Sequence, residues 1–210
     1  MKTTLDEITS QIVRHKGEQK RCLVAIAGPP GSGKSTLAEQ LDLSLNKQGV
    51  KACMMPMDGF HLDDSILIAR GHKPRKGAEH TFDAYGFVDT VARIHTNTQT
   101  VYAPVFDRDR EIAIAGAQEI AAEHSVVLIE GNYLLLRQQP WAQLSKYFTL
   151  KFFLNPGIAV IEKRILERWQ DAKLDEEIIN QRTYENDLPN ANYVLKHSSL
   201  ENTTVCSQWS

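Results

Sequence analysis

The stretch Gly28-Pro-Pro-Gly31-Ser32-Gly33-Lys34-Ser35 constrains this chain more than any other. It fills the pattern G-x-x-x-x-G-K-[ST], which at average residue usage arises by chance in roughly one chain in a hundred of this length. Cys22–Ala27, just before it, reads as a buried strand, and Leu37, Leu41 and Leu45, just after it, recur as one face of a helix. Strand, glycine loop and helix form the context in which backbone N–H groups and a helix N-terminus converge on a phosphate. Gly28, Gly31, Ser32, Gly33, Lys34, Ser35 and Thr36 are therefore the expected phosphate contacts. Lys34 would reach the outer phosphates, and the Ser35 hydroxyl would ligate Mg²⁺. The ligand this predicts is a nucleoside triphosphate.

The remaining strands set the fold class. Lys51–Met57, Ser125–Glu130 and Phe148–Leu154 read as further strands, and Asn192–Lys196 as a last one. Helical patterns lie between them at Ala84–His95, after Pro156 with Ile161, Ile165 and Trp169 on one face, and at Asp175–Asn186. Leu5, Ile8 and Ile12 suggest a short amphipathic helix ahead of the first strand. Alternation of this kind predicts an α/β phosphate-loop NTPase fold, a parallel sheet flanked by helices, built as one domain over residues 1–210. Residues 59–82 show no period, and a loop that long inside a compact domain is usually functional. Residues 201–210 read as a polar tail.

Composition narrows the function. A net charge of −2 gives no general reason to expect a nucleic-acid partner. No apolar run approaches a membrane span, and the N-terminus lacks the apolar stretch of a signal peptide. The three scattered cysteines form no C-x-x-C pair, which fits reduced thiols in the cytoplasm. No N-K-x-D element is present to read guanine, and Asp83-Ala-Tyr-Gly86 follows no apolar strand, so a GTPase is set aside. A small-molecule kinase using ATP leads. The rivals are a regulatory phosphate-loop ATPase acting as a switch and a nucleic-acid enzyme using the basic run Arg70–Lys76.

Asp58 ends the second strand and should face the same crevice as the phosphate loop, since ligands sit beyond the carboxyl ends of parallel strands. A carboxylate there can take the proton of an attacking hydroxyl; a plain Asp-Gly turn would explain the dipeptide equally well. Glu130, closing Val126–Ile129, is placed to hold Mg²⁺ through water. The basic run, with Arg75 and Lys76 foremost, could clamp an anionic acceptor, against the alternative of a solvated loop.

These segments together resemble the phosphoribulokinase/uridine kinase family, and within it the small bacterial uridine kinase-like and pantothenate kinase-like members. Met57-Asp58-Gly59-Phe60-His61 is similar to the family's Asp-Gly-Phe segment, and Thr81-Phe82-Asp83 to its Asn-Phe-Asp. Tyr102–Arg108 resembles the Pro-x-Tyr-Asp segment beside the acceptor, and Ile129-Glu130-Gly131 the Glu-Gly that closes a motif strand. Lys163-Arg164 with Arg168 is similar to the mobile helical lid. The resemblance spans roughly residues 20–190 in the right order. It implies Asp58 as base, Lys34, Arg164 and Arg168 on the transferred phosphate, and Ser35 with Glu130 at Mg²⁺. His61, Asp83, Arg75 and Arg108 would then meet a small-molecule hydroxyl acceptor, in an enzyme to which both a monomer and a homodimer are open. His61 stands where uridine kinases carry tyrosine, which counts against uridine itself, and the chain is shorter than the pantothenate kinases.

Overall fold

The structure, a computed structural model, describes residues 2–16, 21–96 and 99–209. In chain order its elements are β1 (Lys2–Thr3), α1 (Leu5–Lys16), β2 (Cys22–Ala27), α2 (Lys34–Lys47) and β3 (Ala52–Pro56). Next come α3 (Asp64–Ala69), α4 (Ala84–Thr96), β4 (Val101–Asp107), β5 (Ile112–Ile120) and β6 (Val126–Gly131). The last are β7 (Leu150–Leu154), α5 (Ile158–Asp171), α6 (Glu176–Asn180), α7 (Leu188–His197), β8 (Thr204–Cys206) and β9 (Gln208–Trp209).

Five parallel strands form the central sheet in the order β3-β6-β2-β7-β8. Both faces are covered, so β2 and β6 are buried at every position. Alternate residues divide between the faces because side chains on a strand have period two. Cys22, Val24, Ile26, Leu128 and Phe152 pack with Ile8 and Ile12 of α1 and Leu37, Leu41 and Leu45 of α2. Leu23, Ala25, Ala27, Ile129 and Phe153 pack instead with Phe87 and Val91 of α4, Tyr133 and Trp141. This is the predicted α/β fold with a parallel sheet between helices. Among the described residues, no helix is long and apolar enough to cross a membrane.

Two expectations fail. Asn192–Lys196 is not a strand but lies inside α7, where Ala191 and Val194 are buried three residues apart on one face. The fifth strand comes instead from the expected polar tail: Thr204–Cys206 adds beside β7, and β9 pairs with β1. Three residues carry too little pattern to announce a strand, and β8 forms because the edge of β7 offers unpaired backbone groups.

The segment 59–82 is built from short helical pieces, with Asp63 capping α3 through the Ser65 amide at 2.9 Å. Over it lies the antiparallel hairpin β4–β5, whose register shifts around Pro104. Proline has no N–H to offer a ladder, which makes an irregularity the natural place for it. There the hairpin presses on Gly59: a Cβ at that position would lie 2.2 Å from the Pro104 carbonyl oxygen. Only glycine lets the Asp58 turn and the hairpin backbone approach this closely. Gly59→Ala is expected to lower the free energy of unfolding by about 1–3 kcal/mol through overpacking. A urea midpoint equal to that of the parent would show that the hairpin does not seat on Gly59.

Candidate active site

The phosphate loop joins β2 to α2. Gly31 and Gly33 hold φ of 72° and 92°, left-handed values that side chains resist. α2 opens at Lys34 with no side chain capping it, so its first amides are available to an anion. Gly31, Gly33, Lys34, Ser35 and Thr36 line a cavity of about 970 Å³. Gly28 and Ser32 lie behind that wall, both buried, and the Ser32 hydroxyl has no partner.

Two carboxylates complete the floor. β6 lies between β2 and β3, and its register sets Glu130 beside Ile26 on one side and Pro56 on the other. Glu130 is 6% exposed, with Oε1 at 3.6 Å from Lys34 Nζ. Burial pushes its carboxyl above the ordinary range; Lys34 opposes that shift and the nearby Asp58 charge adds to it. Asp58 sits in the turn just after β3, where Arg108 Nη2 donates to its Oδ2 at 2.8 Å. The floor thus gathers the ends of three adjacent strands, with a lysine from the helix that follows one and carboxylates from or just beyond the other two.

The side walls come from the long connection and from the C-terminal helices. His61 stacks against Phe82 and Phe106, with ring centroids 4.0 and 4.7 Å away. Its Nδ1 lies 2.7 Å from the Asp58 carbonyl oxygen, and burial lowers its pKa, so the ring is held neutral. Lys76 bridges Asp64 at 2.8 Å and Glu111 at 3.0 Å while lying over the Phe106 ring, and Lys73 also pairs with Asp64. Arg75 donates to the Glu185 carbonyl and, at 2.7 Å, to Asn190 Oδ1. Lys73, Arg75 and Lys76 are therefore folded into the wall, while Arg70 at the start of the basic run is exposed outside it.

Asp83 is the expected acceptor contact that the fold does not bring to this wall. It is exposed, and its Oδ1 accepts from the Gly86 amide at 2.9 Å, which caps the start of α4.

The lid arginines have distinct places. Arg164 Nη1 donates to the Gly31 and Ser32 carbonyls of the phosphate loop at 3.3 and 3.1 Å and does not line the cavity. Arg168 does line it, and Nη2 donates to Asp187 Oδ2 at 2.7 Å; the Trp169 indole donates to the same oxygen at 2.8 Å. Arg168 and Arg182 lie over the Trp169 ring at 4.4 and 4.7 Å. Arg182 was not expected here. It belongs to a π-helical stretch, Gln181–Asp187, whose wider turn no residue pattern announces.

The sequence pattern described as the Phosphoribulokinase / Uridine kinase family matches residues 23–172. A crystal structure from Silicibacter sp. TM1040, provisionally named a fructose transport system kinase, is 38% identical with a TM-score of 0.89, covering 99% of each chain. A Schizosaccharomyces pombe protein provisionally named uridine kinase C227.14 is 33% identical over 93% of this chain and 87% of its own. A pantothenate kinase of Enterococcus faecalis is 27% identical over 77% of this chain and 53% of its own. The chain belongs to the phosphoribulokinase/uridine kinase family of phosphate-loop kinases, phosphotransferases with an alcohol group as acceptor.

Proposed function

We propose that this kinase moves the γ-phosphate of ATP to a hydroxyl of a small metabolite, with Asp58 as the base. One observation carries the reading: the Asp58 carboxylate lines the same cavity as Lys34 and the open N-terminus of α2. A bound triphosphate would lie on the loop amides and Lys34, with its terminal phosphate toward the carboxyl ends of β6 and β3. The acceptor oxygen bonds to the γ-phosphorus, the bond from that phosphorus to the bridging oxygen breaks, and ADP leaves. The acceptor proton passes to Asp58. Arg108 holds Oδ2 of that carboxylate and leaves Oδ1 free to receive it.

The residues present also fit Mg²⁺. Ser35 and Glu130 offer hard oxygen donors beside the phosphate loop, and among the described residues no cluster of three or more histidine, cysteine or acidic side chains competes as a dedicated cage. A cation that keeps most of its water suits that sparse set. When bound, it would neutralise phosphate charge.

The rest of the chemistry is positioning and electrostatics, as phosphoryl transfer needs little covalent help. Arg168, with Arg182 across Trp169, supplies positive charge on the lid side of the cavity, while Arg164 stiffens the phosphate loop by binding its carbonyls. His61 and Phe106 shape the acceptor side. A switch without an acceptor has no use for a base held beside such a wall.

Asp58→Asn keeps the shape and removes the proton acceptor, so kcat should fall by about 10²–10⁴-fold with little change in the KM for ATP. More than a tenth of parental kcat remaining in the purified variant would remove Asp58 as the base. The two lid arginines should separate in steady-state kinetics: Arg168→Ala chiefly lowers kcat, and Arg164→Ala chiefly raises the KM for ATP, each by about tenfold. Identical profiles for the two variants would rule out the division of labour drawn here.

A further inference from the structure

Most cations on the cavity wall already face a carboxylate. Lys34 meets Glu130, Lys73 and Lys76 meet Asp64, Arg108 meets Asp58, and Arg168 meets Asp187. Among the described residues Arg182 and Arg75 pair with no carboxylate; Arg182 lies over Trp169 beside Arg168, on the lid side, whereas Arg75 is held by hydrogen bonds. Its two acceptors, the Glu185 carbonyl and Asn190 Oδ1, are both neutral, and among the described residues it forms no ion pair.

The guanidinium is nevertheless fixed in place. Asn190 is 3% exposed and donates to Asn186 Oδ1 at 3.2 Å, while Asn186 donates to the Lys76 carbonyl at 2.9 Å. The ring of contacts Arg75–Asn190–Asn186–Lys76 thus ties the basic run to the C-terminal helices. A guanidinium carries five N–H donors in a rigid fork, so two neutral contacts orient it without using up its donors or cancelling its charge. Its place relative to the base is also marked. The Tyr133 hydroxyl donates to the Gly77 carbonyl at 2.6 Å, which anchors the chain just past Arg75 beneath the cavity wall. Arg75 and Asp58 line the same cavity of about 970 Å³.

We propose that the acceptor is a small hydroxylated anion, a carboxylate or a phosphate monoester, whose charged group Arg75 binds while its hydroxyl meets Asp58. The inference rests on the kinase reading above and adds the acceptor's charge. Planar, bidentate recognition of a carboxylate or phosphate is what a pre-oriented guanidinium does best, and a neutral alcohol would leave that charge uncompensated.

The test is an acceptor screen in matched pairs on the full chain with ATP. One arm sets hydroxy acids beside their amides; the other sets sugar phosphates beside the free sugars. In one arm the charged member should be preferred by roughly tenfold or more in kcat/KM. Arg75→Gln removes the charge while keeping a polar, unbranched side chain, and it should bring that ratio close to one. Arg75→Lys, a point charge without the fork, should keep part of the preference. Neutral members used as well as charged ones, no turnover of any charged member, or equal losses on both members in Arg75→Gln would each overturn the inference. The last result would make Arg75 a clasp between loop and helices. Asp58→Asn, assayed beside it, reports on the base separately: retained kcat there removes the base while leaving the charge ratio intact.

Discussion

A carboxylate taken out of water at the end of a buried strand is costly unless something answers its charge, and Glu130 is such a group. Its answer is Lys34, at a separation longer than a tight hydrogen bond. Neither partner is fully satisfied by the other, so each keeps capacity for a ligand: the lysine for phosphate oxygen, the carboxylate for a hard cation or its waters. This pair depends on strand order. With β6 between β2 and β3, the lysine that follows β2 and the carboxylate of β6 must meet, and Asp58, just past β3, must arrive beside them. The parallel register of three strands, with the glycine loop that delivers Lys34 and the turn that carries Asp58, therefore fixes the chemistry of the floor.

The acceptor side is fixed by a different constraint, close backbone approach. Gly59 lets the hairpin lie directly on the turn that carries Asp58, and Gly131 admits the Met57 side chain, whose Cγ would otherwise meet a Cβ at 2.3 Å. The base is thus held from above by the hairpin and from behind by β6. Such support matters because a base misplaced by an ångström loses much of its advantage.

The parts legible in the sequence were those with strong local chemistry. The phosphate loop, its flanking strand and helix, and the strand that ends in Glu130 follow from period, glycine spacing and a terminal carboxylate. Asp58 was legible as a position, and its meaning came from its neighbours. What the sequence hid was set by tertiary context. The strand Thr204–Cys206 is too short to carry a pattern, and α7 contains a run, Asn192–Lys196, whose Tyr-Val-Leu segment suits a strand until its neighbours supply the helical face. Asp83 looked like an acceptor contact and is a helix cap, since an aspartate three residues before a free amide serves either purpose. The partners of Arg75 lie more than a hundred residues away, and no local pattern relates them.

Those distant partners change how the lid should be understood. Arg168 and Trp169 share Asp187, Asn190 holds Arg75, and Arg164 holds the phosphate loop, so α5 and the 181–190 segment touch both halves of the cavity. A lid that met only the nucleotide would report only its presence. Here the same segment binds a residue of the acceptor wall through neutral, directional hydrogen bonds, whose strength depends on where the guanidinium points. An anion bound by the Arg75 N–H groups that Glu185 and Asn190 leave unused would sit on the acceptor wall without breaking either contact. Residues 181–190 thus hold Arg168 through Asp187 and Arg75 through Asn190, so one segment ties the lid side of the cavity to its acceptor wall.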